Sequence, residues 1–327
     1  MAQSAEKRAW ISLEWHGSCL SSCIFRCVAI VRGWKMHFPA FNDFYQRLLF
    51  LLPFATNFGI QERSFDYNAP IEWKDAFPNC GGAEQSPIAI SRYKVIPIGL
   101  PPLHFYRYDE PFDQLLSIHN NGHTVHFTIP TTIFGERPYV TGGLLQDFYE
   151  ARDVHFHWGS QQSKGSEHLL NGRRYDLEMH IVHHNTKYIS DEDARNNSDG
   201  LAVLAVLFKV ERTGPTFYQP GLNEIFASLL HVGDFNSTYA PPVLMTLGSL
   251  LSNLDVRNFY SYKGSLTTPP CSPSVLWHVF AEVLPISHQD LPKFWQLRNR
   301  HGRPLLNNFR PLQSQESRQI FHRRPWL

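Results

Sequence analysis

The stretch Asp153-Val-His-Phe-His-Trp-Gly-Ser160, followed by Glu178-Met-His-Ile-Val-His-His-Asn185, decides how the chain is interpreted. In a β-strand, residues two apart point to the same face, so His155 and His157 leave a sheet together. His180 follows the same two-residue period in the second segment, and a neighbouring strand can bring it beside them. Three neutral imidazoles on rigid strands suit Zn²⁺, and three protein ligands leave a fourth position for water. The pattern predicts a catalytic rather than a structural zinc site.

The composition indicates a globular chain and little more. Of 327 residues, 43% are hydrophobic and 14% aromatic, which is enough for a sizeable core, and 18% are charged, which is low for a disordered chain. The net charge of +1 gives no reason to expect nucleic acid or an anionic membrane surface as a partner. With 17 histidines, about one His-x-His pair is expected by chance, so the spacing alone does not establish zinc.

Six short motifs around these histidines follow one another along roughly residues 64–312. They are Gln85-Ser-Pro-Ile88, Asn120-Asn-Gly-His123, His155-Phe-His-Trp-Gly159, Gly165-Ser-Glu-His168, Glu178-Met-His180 and Gly264-Ser-Leu-Thr-Thr-Pro-Pro270. In this order they resemble the α-class carbonic anhydrases. The resemblance implies a mainly β (α+β) fold, with one domain around a large twisted, mostly antiparallel sheet of about ten strands and small peripheral helices.

The resemblance also implies a role for each residue near the metal. The zinc ligands are His155, His157 and His180, and imidazole-only ligation keeps the full charge of the ion, so that bound water ionises near pH 7. The outer hydrogen-bond acceptors of these rings are Asp153, the backbone of Asn308 and Glu178 respectively. The family usually has Gln at position 153, and a carboxylate there is expected to lower the effective charge on zinc and raise the pKa of the water.

Three further residues are implied to handle protons. Thr267 and Glu167 orient the attacking oxygen, because the hydroxyl accepts its proton and passes its own to a buried carboxylate. His123 carries the released proton out to buffer, a step that suits the unperturbed pKa of imidazole. His126 stands where the family often has Asn or Gln. The apolar pocket for CO₂ matches Val182, Leu201, Val203, Leu266, Val275 and Trp277, with Thr268 at the bicarbonate or inhibitor contact.

Cysteines and sequons indicate the compartment. The resemblance to secreted and membrane-attached members implies a disulfide between Cys80 and Cys271, which closes a loop of about 190 residues and contributes about 4–5 kcal/mol in the chain-entropy model. Two unpaired buried thiols are the alternative. Asn196-Asn-Ser198 and Asn236-Ser-Thr238 are N-glycosylation sequons, consistent with a secretory route.

The first 60 residues differ from the rest. We interpret residues 1–35, which carry Cys19, Cys23 and Cys27 at helical spacing, as an extension outside the domain; a metal or lipid site is the alternative. Residues 36–59 are predicted to be a signal peptide, since a basic flank precedes an apolar run too short to span a bilayer. A short buried helix is the other interpretation. The domain is assigned to residues 60–320 and a tail to 321–327.

Short β-rich segments broken by Pro and Gly are predicted at 123–129, 154–158, 175–184, 201–210 and 275–284. Helical spacing marks 220–230, and Ser287-His-Gln-Asp290 resembles a capping box before Leu291. The chain is expected to be a secreted, monomeric enzyme that hydrates CO₂ to bicarbonate and a proton through zinc-bound hydroxide. The alternatives are a catalytically silent carbonic-anhydrase-related binding protein, or a storage or matrix module.

Overall fold

A computed structural model describes residues 64–212 and 220–325, in which short helices surround many strands. The predicted extension and signal peptide lie outside these residues. The strands are β1 Ala89–Ile90, β2 Ile96–Pro97, β3 His104–Tyr106, β4 Ile118–Asn120, β5 Val125–Thr128, β6 Tyr139–Gly142, β7 Leu145–Trp158, β8 Leu169–Leu170, β9 Leu177–Asn185, β10 Leu201–Glu211, β11 Thr238–Tyr239, β12 Phe259–Gly264, β13 Val275–Ser287 and β14 Phe321–Arg323. The helices are α1 Trp73–Ala76, α2 Asp191–Arg195, α3 Pro220–Ser228 and α4 Leu291–Phe294, with 3-10 turns at Pro70–Glu72, Pro78–Gly81, Leu229–His231 and Gly248–Leu250.

Twelve of these strands form one sheet. Ten follow each other in the order β11-β4-β5-β7-β9-β10-β13-β12-β14-β2, and β3 and β6 branch from β7. Only β10 with β13 and β14 with β2 pair in parallel within this sheet. The mainly β architecture is therefore as predicted, with the expected ten strands on the main path and two beside it.

The structure differs from the sequence analysis at two points near the C-terminus. The strand Phe321–Arg323 pairs with β12 and β2, so the sheet continues past residue 320 into the predicted tail. The helix begins later than the predicted capping box implies, because Asp290 is the residue immediately before α4 and Ser287 is the last residue of β13. The Ser287 hydroxyl instead accepts a hydrogen bond from the Gln289 amide, which makes a local turn.

A bulge in β7 determines which face of the sheet carries the histidines. Tyr149 and Ala151 face the larger core, but after the register shift at Arg152 the core-facing residues are Val154 and Phe156. The extra residue reverses the alternation, which is how bulges near functional sites redirect side chains. The His-x-His pair therefore points away from the larger core, onto the face where Leu201, Val203, Ala205 and Leu207 of β10 pack.

Candidate metal centre

His155, His157 and His180 lie together on adjoining strands of the sheet. His155 of β7 is the cross-strand partner of His180 of β9, and His157 follows two residues later on the same face. Each histidine offers one ring nitrogen, and these three nitrogens all lie within 4.8 Å of one another. His157 and His180 are about 1% exposed, whereas His155 is partly open to solvent. Three imidazoles therefore converge on one face of the sheet.

The outer nitrogen of each ring is already hydrogen-bonded to an acceptor. His155 Nδ1 lies 2.9 Å from Asp153 Oδ1, and His157 Nδ1 lies 2.8 Å from the backbone oxygen of Asn308. His180 Nε2 lies 2.7 Å from Glu178 Oε1. Carboxylate and carbonyl oxygens only accept, so these ring nitrogens donate and the inner nitrogens carry lone pairs. Outer acceptors of this kind normally fix the tautomer and orientation of metal-binding histidines.

The inner nitrogens fit a tetrahedral cation. His180 Nδ1 and His155 Nε2 are 3.3 Å apart, although neither has a proton to share with the other. Metal–nitrogen bonds of about 2.0–2.1 Å in tetrahedral geometry place two nitrogens about 3.3–3.4 Å apart. His157 Nε2 is buried and has no hydrogen-bond partner among the described residues. The donor set, its spacing and this unpaired nitrogen all fit zinc.

Burial favours the neutral form of two of these imidazoles, His157 and His180. It lowers the pKa of His180 to about 4, against the opposite effect of the hydrogen bond to Glu178. The pKa of His157 is also lowered by burial and then by the neighbouring His180 and His155. A neutral imidazole is the form that binds a metal, so the rings are ready as ligands at neutral pH.

Glu178 holds two histidines at once. It accepts from His180 Nε2 and from both the amide and Nδ1 of His168, at 2.7–2.8 Å. Burial raises the pKa of Glu178, but the charge and hydrogen bonds of His168 and His180 outweigh burial and lower it well below its usual value. The ring nitrogens of His168 and His180 that face Glu178 are donors, so this second group of possible ligands is a hydrogen-bond network rather than a metal site.

Asp153 and His126, which both depart from the family pattern, are hydrogen-bonded to each other. Asp153 Oδ2 lies 2.9 Å from His126 Nδ1, while Oδ1 accepts from His155. Burial raises the pKa of Asp153, but the hydrogen bonds from His126 and His155 outweigh it and lower the pKa to about 2. The carboxylate divides its acceptor capacity between two rings, which moderates the effect on His155 expected from the sequence.

Glu167 lies beside the histidines with one oxygen unpaired. Its Oε1 accepts from the Arg310 amide at 2.8 Å, and its Oε2 lies 3.5 Å from His157 Nε2. Burial raises the pKa of Glu167 to about 8 and the Glu178 charge adds to the rise, while the Arg310 amide and the Thr267 hydroxyl oppose it. Thr267 is 4% exposed. Thr267 and Glu167 therefore lie near each other, and their role in orienting the attacking oxygen stays a prediction.

His123 lies at the edge of the domain rather than among the three histidines. Its ring stacks on Phe65, with centroids 4.2 Å apart, and it lines a small cavity with Asp66 and Arg300. Burial and then the charge of Arg300 lower its pKa, against the effect of Asp66. The amide of His123 donates to Asn121 Oδ1 at 2.9 Å, and its carbonyl accepts from Asn308 Nδ2 at 3.0 Å. Its backbone is thus fixed relative to Asn308, whose own carbonyl accepts from His157.

The residues predicted for the apolar pocket belong to one cluster on the histidine face. Val203 pairs with both Val182 and Trp277 across neighbouring strands, and the Trp277 ring lies 4.9 Å from that of His180. The same apolar cluster contains Leu201 and Val275, with Leu266 packed against it. Thr268 lies outside this cluster, and its backbone carbonyl accepts a hydrogen bond from the Cys271 amide at 2.9 Å.

The loop that carries Thr267 is tied to the N-terminal part of the domain. A disulfide joins Cys80 and Cys271, 191 residues apart. The Cys80 carbonyl accepts from the Arg310 guanidinium at 2.8 Å, and the Cys271 carbonyl accepts from Gln85 Nε2 at 3.2 Å. Arg310 thus connects the disulfide to Glu167 through its side chain and its amide.

Comparison with known proteins assigns the family. Residues 68–324 match the model of the eukaryotic-type carbonic anhydrases. This chain belongs to that family. Carbonic anhydrase 15 of Mus musculus is 40% identical over 262 residues, which are 77% of this chain and 78% of the relative. Carbonic anhydrase 12 of Homo sapiens is 34% identical (76% and 69% covered), and carbonic anhydrase 6 of Bos taurus 36% identical (74% and 73% covered). As a carbonic anhydrase, the protein belongs to the carbonate dehydratases, the enzymes of CO₂ hydration.

Two contributors to this carbonic anhydrase site were not assigned from the sequence. His168 lies in the motif Gly165-Ser-Glu-His168, but its hydrogen bond to Glu178 depends on strand pairing that the motif does not reveal. Arg310 is 2% exposed, although a charged residue is normally expected at the surface. The residues beside it in the sequence do not indicate its contacts with Glu167 and Cys80. Among the residues that the structure describes, we find no helix whose length and hydrophobicity would let it cross a membrane.

Proposed function

We propose that the protein catalyses reversible CO₂ hydration with a zinc ion held by His155, His157 and His180. The observation that carries the proposal is the convergence of three inner ring nitrogens whose outer partners all accept hydrogen bonds. Bound zinc would supply a Lewis acid that lowers the pKa of a coordinated water to about 7. All other chemistry then falls to residues of the chain.

The residues around the ion would divide that chemistry. Asp153, Asn308 and Glu178 hold the three rings in their donor orientation. The Thr267 hydroxyl would accept a hydrogen bond from the attacking oxygen and donate its own to Glu167, which would orient that oxygen toward the carbon of CO₂. Burial and Glu178 raise the pKa of Glu167 to about 8, and the charge of a bound zinc ion would favour the carboxylate that this role needs. The apolar surface of Val182, Val203 and Trp277 admits CO₂ because it offers no competing hydrogen bonds.

The direct test measures the zinc content and the CO₂ hydration rate of the same protein sample. Purified protein with one zinc per chain should hydrate CO₂ in stopped-flow well above the buffer background, and removal of zinc by a chelator should abolish the rate. Restoring zinc, but not Mg²⁺, should restore it, because imidazole ligands favour zinc over ions that prefer oxygen. A fully zinc-loaded protein with only background rate would instead indicate the binding-protein alternative.

His123 is proposed to move the released proton to buffer. His123→Ala is expected to lower the maximal hydration rate by on the order of 10²-fold at low buffer concentration, with kcat/KM much less affected. Added imidazole should restore part of the lost rate, because it replaces the missing proton carrier. His301→Ala is the matched control, since that exposed histidine lines the same cavity. Equal losses in both variants, or no rescue by imidazole, would remove this role from His123.

We also propose that the enzyme is secreted and monomeric. The disulfide supports an oxidising compartment, and both predicted glycosylation sites, Asn196 and Asn236, are exposed. Peptide mapping under non-reducing conditions and sequencing of the mature N-terminus would test the route, and light scattering the oligomeric state.

A further inference from the structure

A row of histidines continues outward from the proposed zinc site across four strands. In the register of the sheet, His119 of β4 pairs with His126 of β5, His126 pairs with His155 of β7, and His155 pairs with His180 of β9. Directly paired residues of neighbouring strands share a face of the sheet. His155 and His180 belong to the proposed zinc site, whereas the proposed function gives no role to the outer pair, His119 and His126.

Hydrogen bonds fix the outer pair in the same way as the inner rings. His126 Nδ1 lies 2.9 Å from Asp153 Oδ2, and His119 Nε2 lies 3.1 Å from Asn236 Oδ1. Both oxygens accept, so both of these ring nitrogens donate. The remaining nitrogens, His119 Nδ1 and His126 Nε2, therefore carry lone pairs in the neutral rings, and they face each other at 3.2 Å. Two facing lone pairs repel unless a cation lies between them.

We propose that His119 and His126 form a second metal site, which takes a divalent transition-metal ion of the imidazole-preferring class. The nitrogen separation of 3.2 Å matches two adjacent ligands of one ion at about 2.0–2.1 Å from each. Asp153 and Asn236 serve as the outer acceptors that orient the two ligands. Asp153 is thereby shared between the two sites, with one oxygen directed to each.

The surroundings decide which ions fit. The pair opens into a cavity of about 530 Å³, so water can occupy the remaining coordination positions. Gln114 and Ser117 line the cavity with neutral polar side chains, and Arg137 adds a positive charge. Ions held mainly by charge, such as Ca²⁺ and Mg²⁺, are therefore disfavoured. Cu²⁺ is favoured because it binds nitrogen ligands most tightly among the common divalent metals of the first row.

The test titrates zinc-loaded full-length protein with Cu²⁺ while its zinc content is monitored. We expect one Cu²⁺ per chain to bind in addition to the retained zinc, with nitrogen hyperfine splitting in electron paramagnetic resonance. His119→Gln and His126→Gln should each weaken this binding by more than about 10-fold, because losing a ligand costs at least as much as losing an outer partner. His104→Gln changes an exposed histidine on β3 and should leave it unchanged.

The other outcomes contradict the proposal. Copper that binds equally well to all three variants is held elsewhere in a chain with 17 histidines. Absence of a second ion, with zinc retained, means that the facing nitrogens share a proton instead. Zinc content also separates this site from the proposed catalytic one: copper that binds only as zinc is lost has displaced zinc from the three-histidine site and contradicts a second site, whereas copper bound with zinc retained is additional to it. Anomalous diffraction from a copper-soaked crystal should place the ion between His119 and His126.

Discussion

His180→Ala is expected to leave the dialysed protein without zinc and to reduce CO₂ hydration to the uncatalysed rate. Only two imidazoles would remain, and the buried carboxylate of Glu178 would lose one of its two histidine partners. Removing merely an outer hydrogen-bond partner costs about 10–100-fold in metal affinity, so loss of a ligand itself should cost more. Zinc would be measured by elemental analysis after dialysis against a mild chelator, and hydration by stopped-flow on the same protein.

His183→Ala provides the matched control on the same strand. His183 is fully buried, but it lies three residues further along and contacts Tyr108 and the Ile181 carbonyl on the other side of β9. Its removal leaves the Tyr108 hydroxyl unpaired and should cost about 1–3 kcal/mol of stability. The folded protein should nevertheless keep its zinc. If His180→Ala retains zinc and rate while His183→Ala loses them, the assignment of ligands along β9 is wrong.

The sequence was most informative where alternation and motif coincide. The segments predicted at 175–184, 201–210 and 275–284 correspond to strands at 177–185, 201–211 and 275–287. Residues buried on both faces give long apolar runs of this kind in the middle of a sheet. The helix predicted at 220–230 corresponds to α3 and the following 3-10 turn, since its apolar residues recur at helical spacing.

The sequence was least informative where one strand changes its facing side. Strand β7 begins at Leu145, nine residues before the predicted segment, and its bulge at Arg152 interrupts the two-residue period. The buried residues before and after the bulge follow different two-residue patterns, so the strand as a whole shows no single alternation of apolar and polar residues. His155 and His157 were still identified because both lie beyond the bulge, where the alternation is regular again.

Contacts between strands distant in sequence could not be predicted from spacing. The sequence marks His126 and Asp153 only as two separate departures from the family pattern, 27 residues apart. Their hydrogen bond and the pairing of His126 with His119 depend on strand register, which a single sequence does not specify when both candidate faces contain polar residues. These connections arise only from the way in which β4, β5 and β7 pair in the sheet.

Removing the Cys80–Cys271 disulfide is expected to lower the free energy of unfolding of the domain by several kcal/mol. Reduction frees a loop of about 190 residues in the unfolded chain, and removing a native disulfide typically costs about 2–5 kcal/mol. Cys80→Ala with Cys271→Ala should therefore lower the urea midpoint of unfolding markedly. The hydration rate of the folded variant should fall as well, because the disulfide holds the loop of Thr267 and, through Arg310, the environment of Glu167.

Reductant separates the disulfide from the loss of two packed sulfur atoms. Cys80 and Cys271 are both buried beside Trp73, so alanine at both positions also removes apolar contacts. Wild-type protein unfolded in the presence of a strong reductant should therefore lose most of the stability that the double variant loses, whereas the variant should not respond to reductant at all. A wild-type midpoint that is the same with and without reductant, in protein shown by mass to be reduced, would mean that packing around Trp73 rather than the covalent link stabilises this part of the domain.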